Sequence, residues 1–131
     1  MKVIYEEPLT CKGKLVVLEN RWYLSFEEQG PDNRYKKRPF QVLDKEFNEF
    51  CERLKKNFAY YEEQKQKGCS SIIKGEGGQW IRFGIREGVC LFYQSYPIKS
   101  RKKLEETLLE LQRAKEKAEQ LLNKEKKETL L

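Results

Sequence analysis

The chain predicts an α+β fold: two antiparallel β-block/helix repeats packed as one pseudo-symmetric domain, with a long C-terminal helix. Three observations predict it. Two blocks alternate apolar and polar side chains with period two, as half-buried strands do. Each block runs into apolar residues that recur every three or four positions, as on an amphipathic helix. The junctions also read alike: Pro39-Phe40-Gln41-Val42-Leu43-Asp44-Lys45-Glu46-Phe47 and Tyr96-Pro97-Ile98-Lys99-Ser100-Arg101-Lys102-Lys103-Leu104. Each is a proline, a short extended stretch, a capping Asp or Ser, and an apolar residue opening a helical stripe. The repeats divide the chain into residues 1–67 and 68–123, with 124–131 expected to fray. At 131 residues they form a single domain that buries roughly 65–70% of its unfolded surface.

The first block opens with Val3 to Tyr5, a short edge strand. Leu15 to Leu18 is a continuous apolar run, with Asn20 at a turn beside it. In the next strand Trp22, Leu24 and Phe26 share one face, the core side, and Arg21, Tyr23 and Ser25 share the other. Gly30-Pro31-Asp32-Asn33 is a turn signal that leads into Arg34-Tyr35-Lys36-Lys37-Arg38, an aromatic among four basic residues. Asp44 caps the first helix, whose stripe is Phe47, Phe50, Cys51, Leu54, Phe58 and Tyr61, and Gly68 ends it.

The second block shows three clear strands. In Gln79 to Arg86, Ile81, Phe83 and Ile85 point to the core, and Trp80, Arg82 and Arg86 point away with Gly84 between the arginines. Glu87-Gly88 turns the chain into a strand from Val89 to Ile98. The second helix starts at Ser100 and carries Leu104, Leu108, Leu111, Ala118 and Leu122, interrupted by Lys115. Its first half is expected to cover the second sheet, and its second half resembles a short coiled-coil strand.

Composition narrows the chemistry. No apolar run approaches the roughly 18 residues of a membrane span, and no signal-peptide core is present at the N-terminus, so a cytoplasmic protein is expected. There is no histidine, which removes Ser-His and Cys-His nucleophile pairs. The four cysteines, Cys11, Cys51, Cys69 and Cys90, show no C-x-x-C spacing; neither zinc nor a disulfide framework is indicated, and Cys51 and Cys90 read as small buried hydrophobes. Gly75-Glu76-Gly77-Gly78 lacks the Gly-Lys-Ser/Thr ending of a P-loop and reads as a strand connection. No enzyme, metal or cofactor is expected.

The placement of charge is more informative than its total of +6. Residues 1–43 carry +2, 44–67 are neutral, 68–103 carry +5, and 104–131 carry −1. The excess therefore belongs to the strand blocks, and a basic sheet face is built to meet an anion. Exposed aromatics beside arginine can stack on unpaired bases, at about 1–3 kcal/mol per base. Duplex bases are already stacked, so such a face favours single strands. The residues expected to carry this are Trp80, Arg82 and Arg86 on one platform and Tyr23, Arg34, Tyr35, Lys36 and Arg38 on the other. Lys99, Arg101, Lys102 and Lys103 add phosphate contacts at the start of the second helix. The alternative is a protein-interaction module that assembles, as a homodimer for instance, through the C-terminal helix.

The segment Leu15-Val16-Val17-Leu18-Glu19-Asn20-Arg21-Trp22-Tyr23-Leu24 is similar to the first hairpin of the Pur-alpha family of single-stranded nucleic-acid-binding proteins. The stretch from Arg38 to Phe50 resembles that family's last strand and helix, and Ser70 to about Ala114 follows the same order more loosely. The resemblance to this whirly-type fold implies two clasped repeats whose curved sheets bind single-stranded DNA or RNA. It departs from the family in having three strands rather than four in the second block, and in its longer C-terminal helix.

Overall fold

The structure is a computed structural model that describes residues 2–26, 40–75, 81–86, 88–91 and 96–130. The turn expected at Gly30 to Asn33, and the connection expected at Glu76 to Gly78, lie outside the described residues.

Strands β1 (Val3–Pro8), β2 (Gly13–Leu18), β3 (Trp22–Phe26) and β4 (Phe40–Leu43) form an antiparallel sheet in that order. The register sets Val17 against Trp22, Leu15 against Leu24, and Leu24 against Val42. These residues are buried on one face, as the alternation of Trp22, Leu24 and Phe26 predicts for β3. Gly13 lies opposite Phe26, and the Phe26 ring occupies the space that a Cβ at Gly13 would need.

Helix α1 (Phe47–Gln66) follows a single 3-10 turn, Asp44–Glu46. Asp44 does not cap it as expected: its Oδ1 accepts from the adjacent Lys45 N–H at 2.7 Å. Glu46 instead reaches back to accept from the Leu43 N–H at 3.0 Å, because the tight first turn shifts the helix start by three residues. The other end closes as read from the sequence. Gly68 adopts φ +74, its N–H donates to the Lys65 carbonyl, and the Cys69 N–H donates to the Gln64 carbonyl, a Schellman closure.

The aromatic stripe of α1 reaches both sheets. Phe47 meets Trp22 edge-on at 5.5 Å between centroids, and Phe50 lies 5.8 Å from Phe26. Further along, Tyr60 meets Phe83 edge-on at 5.0 Å, and the helix packs against β6 (Ile81–Gly84) and β7 (Gly88–Leu91). Those strands lie between β5 (Ile73–Gly75) and β8 (Pro97–Ile98) in a second antiparallel sheet, ordered β5-β6-β7-β8. The second block thus has four strands where the sequence shows three. The outer two are three and two residues long, too short for a period of two to register.

Helix α2 (Arg101–Leu130) starts at Ser100, whose Oγ accepts from the Lys103 N–H at 3.1 Å. It stays helical past residue 123, where fraying was expected, along a sequence rich in the helix formers Lys, Glu and Leu. It packs on β2 of the first sheet, not chiefly on the second sheet as its sequence position suggested. Three contacts hold it there. The Glu110 carboxylate accepts from the Thr10 N–H (2.9 Å), the Thr10 hydroxyl (2.6 Å) and the Cys11 N–H (3.2 Å) in the β1–β2 turn. Lys117 reaches Glu7 at 3.5 Å and stands over the Tyr5 ring. Lys115, which breaks the apolar stripe, is half-buried with its ammonium 5.5 Å from the Phe47 ring centre. The face carrying Leu104, Leu111 and Ala118 is buried within the chain's own fold and is not a free coiled-coil seam.

The Glu110 contacts predict a pH dependence. Burial alone raises its carboxyl pKa, but the hydrogen bonds from Thr10 and Cys11 outweigh that and hold it below the ordinary 4.5. A carboxylate depressed on folding stabilises the fold above its unfolded pKa, and that contribution is lost as pH falls through the folded value. Urea unfolding of the native chain should therefore weaken below about pH 4.5. Glu110→Ala should cost about 1–3 kcal/mol at neutral pH and flatten that part of the profile.

Candidate functional site

The two outer sheet faces, turned away from the core, differ in charge. On the first sheet one row runs Glu6, Val16, Tyr23, Leu43, and the next runs Pro8, Lys14, Ser25, Gln41. Tyr23 therefore lies opposite the core face, as expected, and is half-buried. Lys14 on this face is neutralised by Glu6 at 3.1 Å. Arg34, Tyr35, Lys36 and Arg38, which were expected to complete the platform, lie outside the described residues.

On the second sheet one row runs Gly75, Arg82, Cys90, Pro97, and the row beside it holds Gly84 opposite Gly88. Lys99 follows the buried Ile98 and returns to this outer face. Its Cγ would stand only 2.8 Å from a Cβ built on Gly88, so its stem lies across that glycine. Gly88 itself has φ +76 and lies close under the Ile98 carbonyl, which only glycine accommodates without strain. The result is a face on which Gly84 and Gly88 are buried, Lys99 lies over Gly88, and Arg82 stands in the neighbouring row.

Arg86 is exposed, but it sits in the turn after β6 rather than on the strand, because β6 ends at Gly84. Ile85, expected in the core, is half-buried in the same turn. Trp80 lies outside the described residues. Among the described residues from 69 to 103, seven are basic (Lys74, Arg82, Arg86, Lys99, Arg101, Lys102 and Lys103) and none is acidic.

The start of α2 carries a basic triplet in its first turn, with no acidic residue there. Two of the three are engaged. Arg101 pairs with Glu62 of α1 at 2.7 Å, and the Lys103 ammonium lies 4.8 Å from the Tyr96 ring centre, where a hydrogen bond with Tyr96 raises its pKa. Lys99 and Lys102 are exposed and make no ion pair among the described residues. The structure thus brings Arg82 and Lys99 onto one face and ties Arg101 to α1. The covering of Gly88 by Ile98 and Lys99 was not legible in the sequence, where Glu87-Gly88 reads only as a turn.

Chemistry at the thiols is muted. Burial pushes the Cys11 thiol up to about 12 and Cys51 to about 11, and Cys90 is buried in β7. All four cysteines are free, and among the described residues no cluster of three or more metal-ligating side chains occurs. No described helix is long and apolar enough to cross a membrane.

No protein-family profile, curated protein or solved structure matches this chain. The close packing at Gly88 gives the site its own test. Gly88→Ala should destabilise the second sheet by about 1–3 kcal/mol through a positive φ and a clash with the Ile98 carbonyl. Chemical denaturation of the variant measures it; a midpoint equal to that of the native chain would contradict the packing described.

Proposed function

We propose that this chain binds single-stranded nucleic acid, DNA or RNA, without catalysis, on the outer face of its second sheet. The observation that carries the reading is the run of basic residues on and beside that face, from Lys74 to Lys103, among which no described residue is acidic. Phosphates reward such a face by releasing counterions. Arg82 and Lys99 supply charge-assisted donors on one face.

The likeness to the Pur-alpha family belongs to the same proposal. Both halves run four antiparallel strands and then a helix, which supports two repeats packed as one pseudo-symmetric domain. In this reading the copies have diverged: the second sheet holds the anion, and the first is the structural partner. Trp80 supplies the stacking surface, with Arg86, Lys102 and Lys103 at the margin.

Titration of a labelled oligonucleotide at several salt concentrations tests the proposal. If Arg82, Arg86 and Lys99 each neutralise one phosphate, log affinity should fall with log salt at a slope of about −2. Lys99→Ala and Arg86→Ala should each weaken binding and lower that slope by about 0.7, leaving thermal stability unchanged. Trp80→Ala should lose affinity with the fold intact. Absent binding at low salt, or an affinity indifferent to salt, would sink the reading.

A further inference from the structure

The face of α2 turned away from the core carries one exposed leucine within a charge pattern that is its own complement. Leu109 is 51% exposed, and among the described residues only Val3, at 45%, is a comparably open large hydrophobic. At 100° per residue, Lys102, Glu106, Leu109, Arg113 and Glu116 fall on one stripe of the helix. Counted outward from Leu109, a carboxylate three residues before it matches a guanidinium four residues after it. An ammonium seven residues before it matches a carboxylate seven residues after it.

All four charged residues are exposed, and none makes an ion pair among the described residues. Helix α1 behaves differently, pairing Glu49 with Arg53 at 2.8 Å and Glu63 with Lys67 at 2.9 Å along its own surface. Beside Leu109 a groove of about 430 Å³ runs between α2 and the β1–β2 turn, lined by Leu9, Thr10, Glu106, Arg113 and Lys117 among others.

We propose that this face binds a second copy of the chain through an antiparallel α2–α2 contact, with the two-fold axis passing beside Leu109. A two-fold contact is made by one patch on itself, so the patch must be self-complementary. Here Leu109 packs on Leu109 of the second copy, and Glu106 faces Arg113 of the second copy twice over. Lys102 faces Glu116 of the second copy at the flanks. A parallel pairing is disfavoured, because it would set Glu106 against Glu106 and Arg113 against Arg113. The coiled-coil seam expected from the sequence is closed, since Leu104, Leu111 and Ala118 are buried within the chain, and the free face is the one around Leu109.

Sedimentation velocity of the full chain, across a range of protein and salt concentrations, reads the assembly directly. A reversible dimer that weakens with salt is expected. Glu106→Arg and Arg113→Glu should each weaken it about tenfold, by setting like charges opposite each other at both ends. Mixed in equal amounts, the two variants should recover association as a heterodimer, because each then meets the opposite charge. Circular dichroism confirms that both remain folded, as exposed positions allow. A chain that stays monomeric into the hundreds of micromolar overturns the proposal. So does a dimer that ignores both substitutions, or a mixture that associates no better than either variant alone. A monomer that instead captures a different macromolecule on this face overturns it equally.

Discussion

The aromatic stripe of α1 is the constraint on which the other features depend. One helix places Phe47 and Phe50 against Trp22 and Phe26 of the first sheet, and Tyr60 against Phe83 of the second. It packs against strands of both sheets. Phe50, Leu54, Phe58 and Tyr61 are all nearly inaccessible, and the core they join runs from Cys11 to Ala118 without a break. Edge-on ring pairs add about 0.5–1.5 kcal/mol each beyond the area they bury, and they also fix the helix's rotation. With α1 fixed, the inner rows of both sheets are fixed, and so are the residues left facing outward.

The outer faces inherit their character from that choice. On the first sheet the described charge is cancelled locally, as Lys14 and Glu6 show. On the second, Arg82 and Lys99 share one face. Next to it, α2 begins with Arg101, Lys102 and Lys103, where the helix dipole favours acidic residues. Each cation in a first turn costs about 0.3–1 kcal/mol. Glu62 and Tyr96 offset part of that cost by holding Arg101 and Lys103. A residual electrostatic strain of this kind is relieved by an anion, which agrees with the function proposed for the face.

Much of the fold is legible in the sequence, and the reasons differ by element. The inner row of β3 follows from alternation, the stripe of α1 from its three-four spacing, and its end from Gly68 at φ +74. Two further results depend on tertiary context. Strands β5 and β8 are too short to carry a pattern, so pairing with β6 and β7 alone defines them. The resting place of α2 depends on Glu110 meeting the β1–β2 turn, a contact 99 to 100 residues apart in sequence. Lys115 reads as a break in the stripe because spacing cannot show that the Phe47 ring receives its ammonium. At the candidate site, the placement of Tyr23 and Arg82 opposite the core was legible from period two. The engagement of Arg101 by Glu62 was not, since it joins two helices 39 residues apart.

Native-state hydrogen exchange on the Phe50→Ala variant tests the central claim most directly, that α1 makes the two sheets one cooperative unit. Phe50 packs on Phe26 of the first sheet, and β6 and β7 report on the second. Removing the ring should cost about 3–5 kcal/mol. The account predicts that the slowest amides of β2 and β3 and those of β6 and β7 lose protection by the same free energy. Loss confined to the first sheet, with β6 and β7 unchanged, would contradict it.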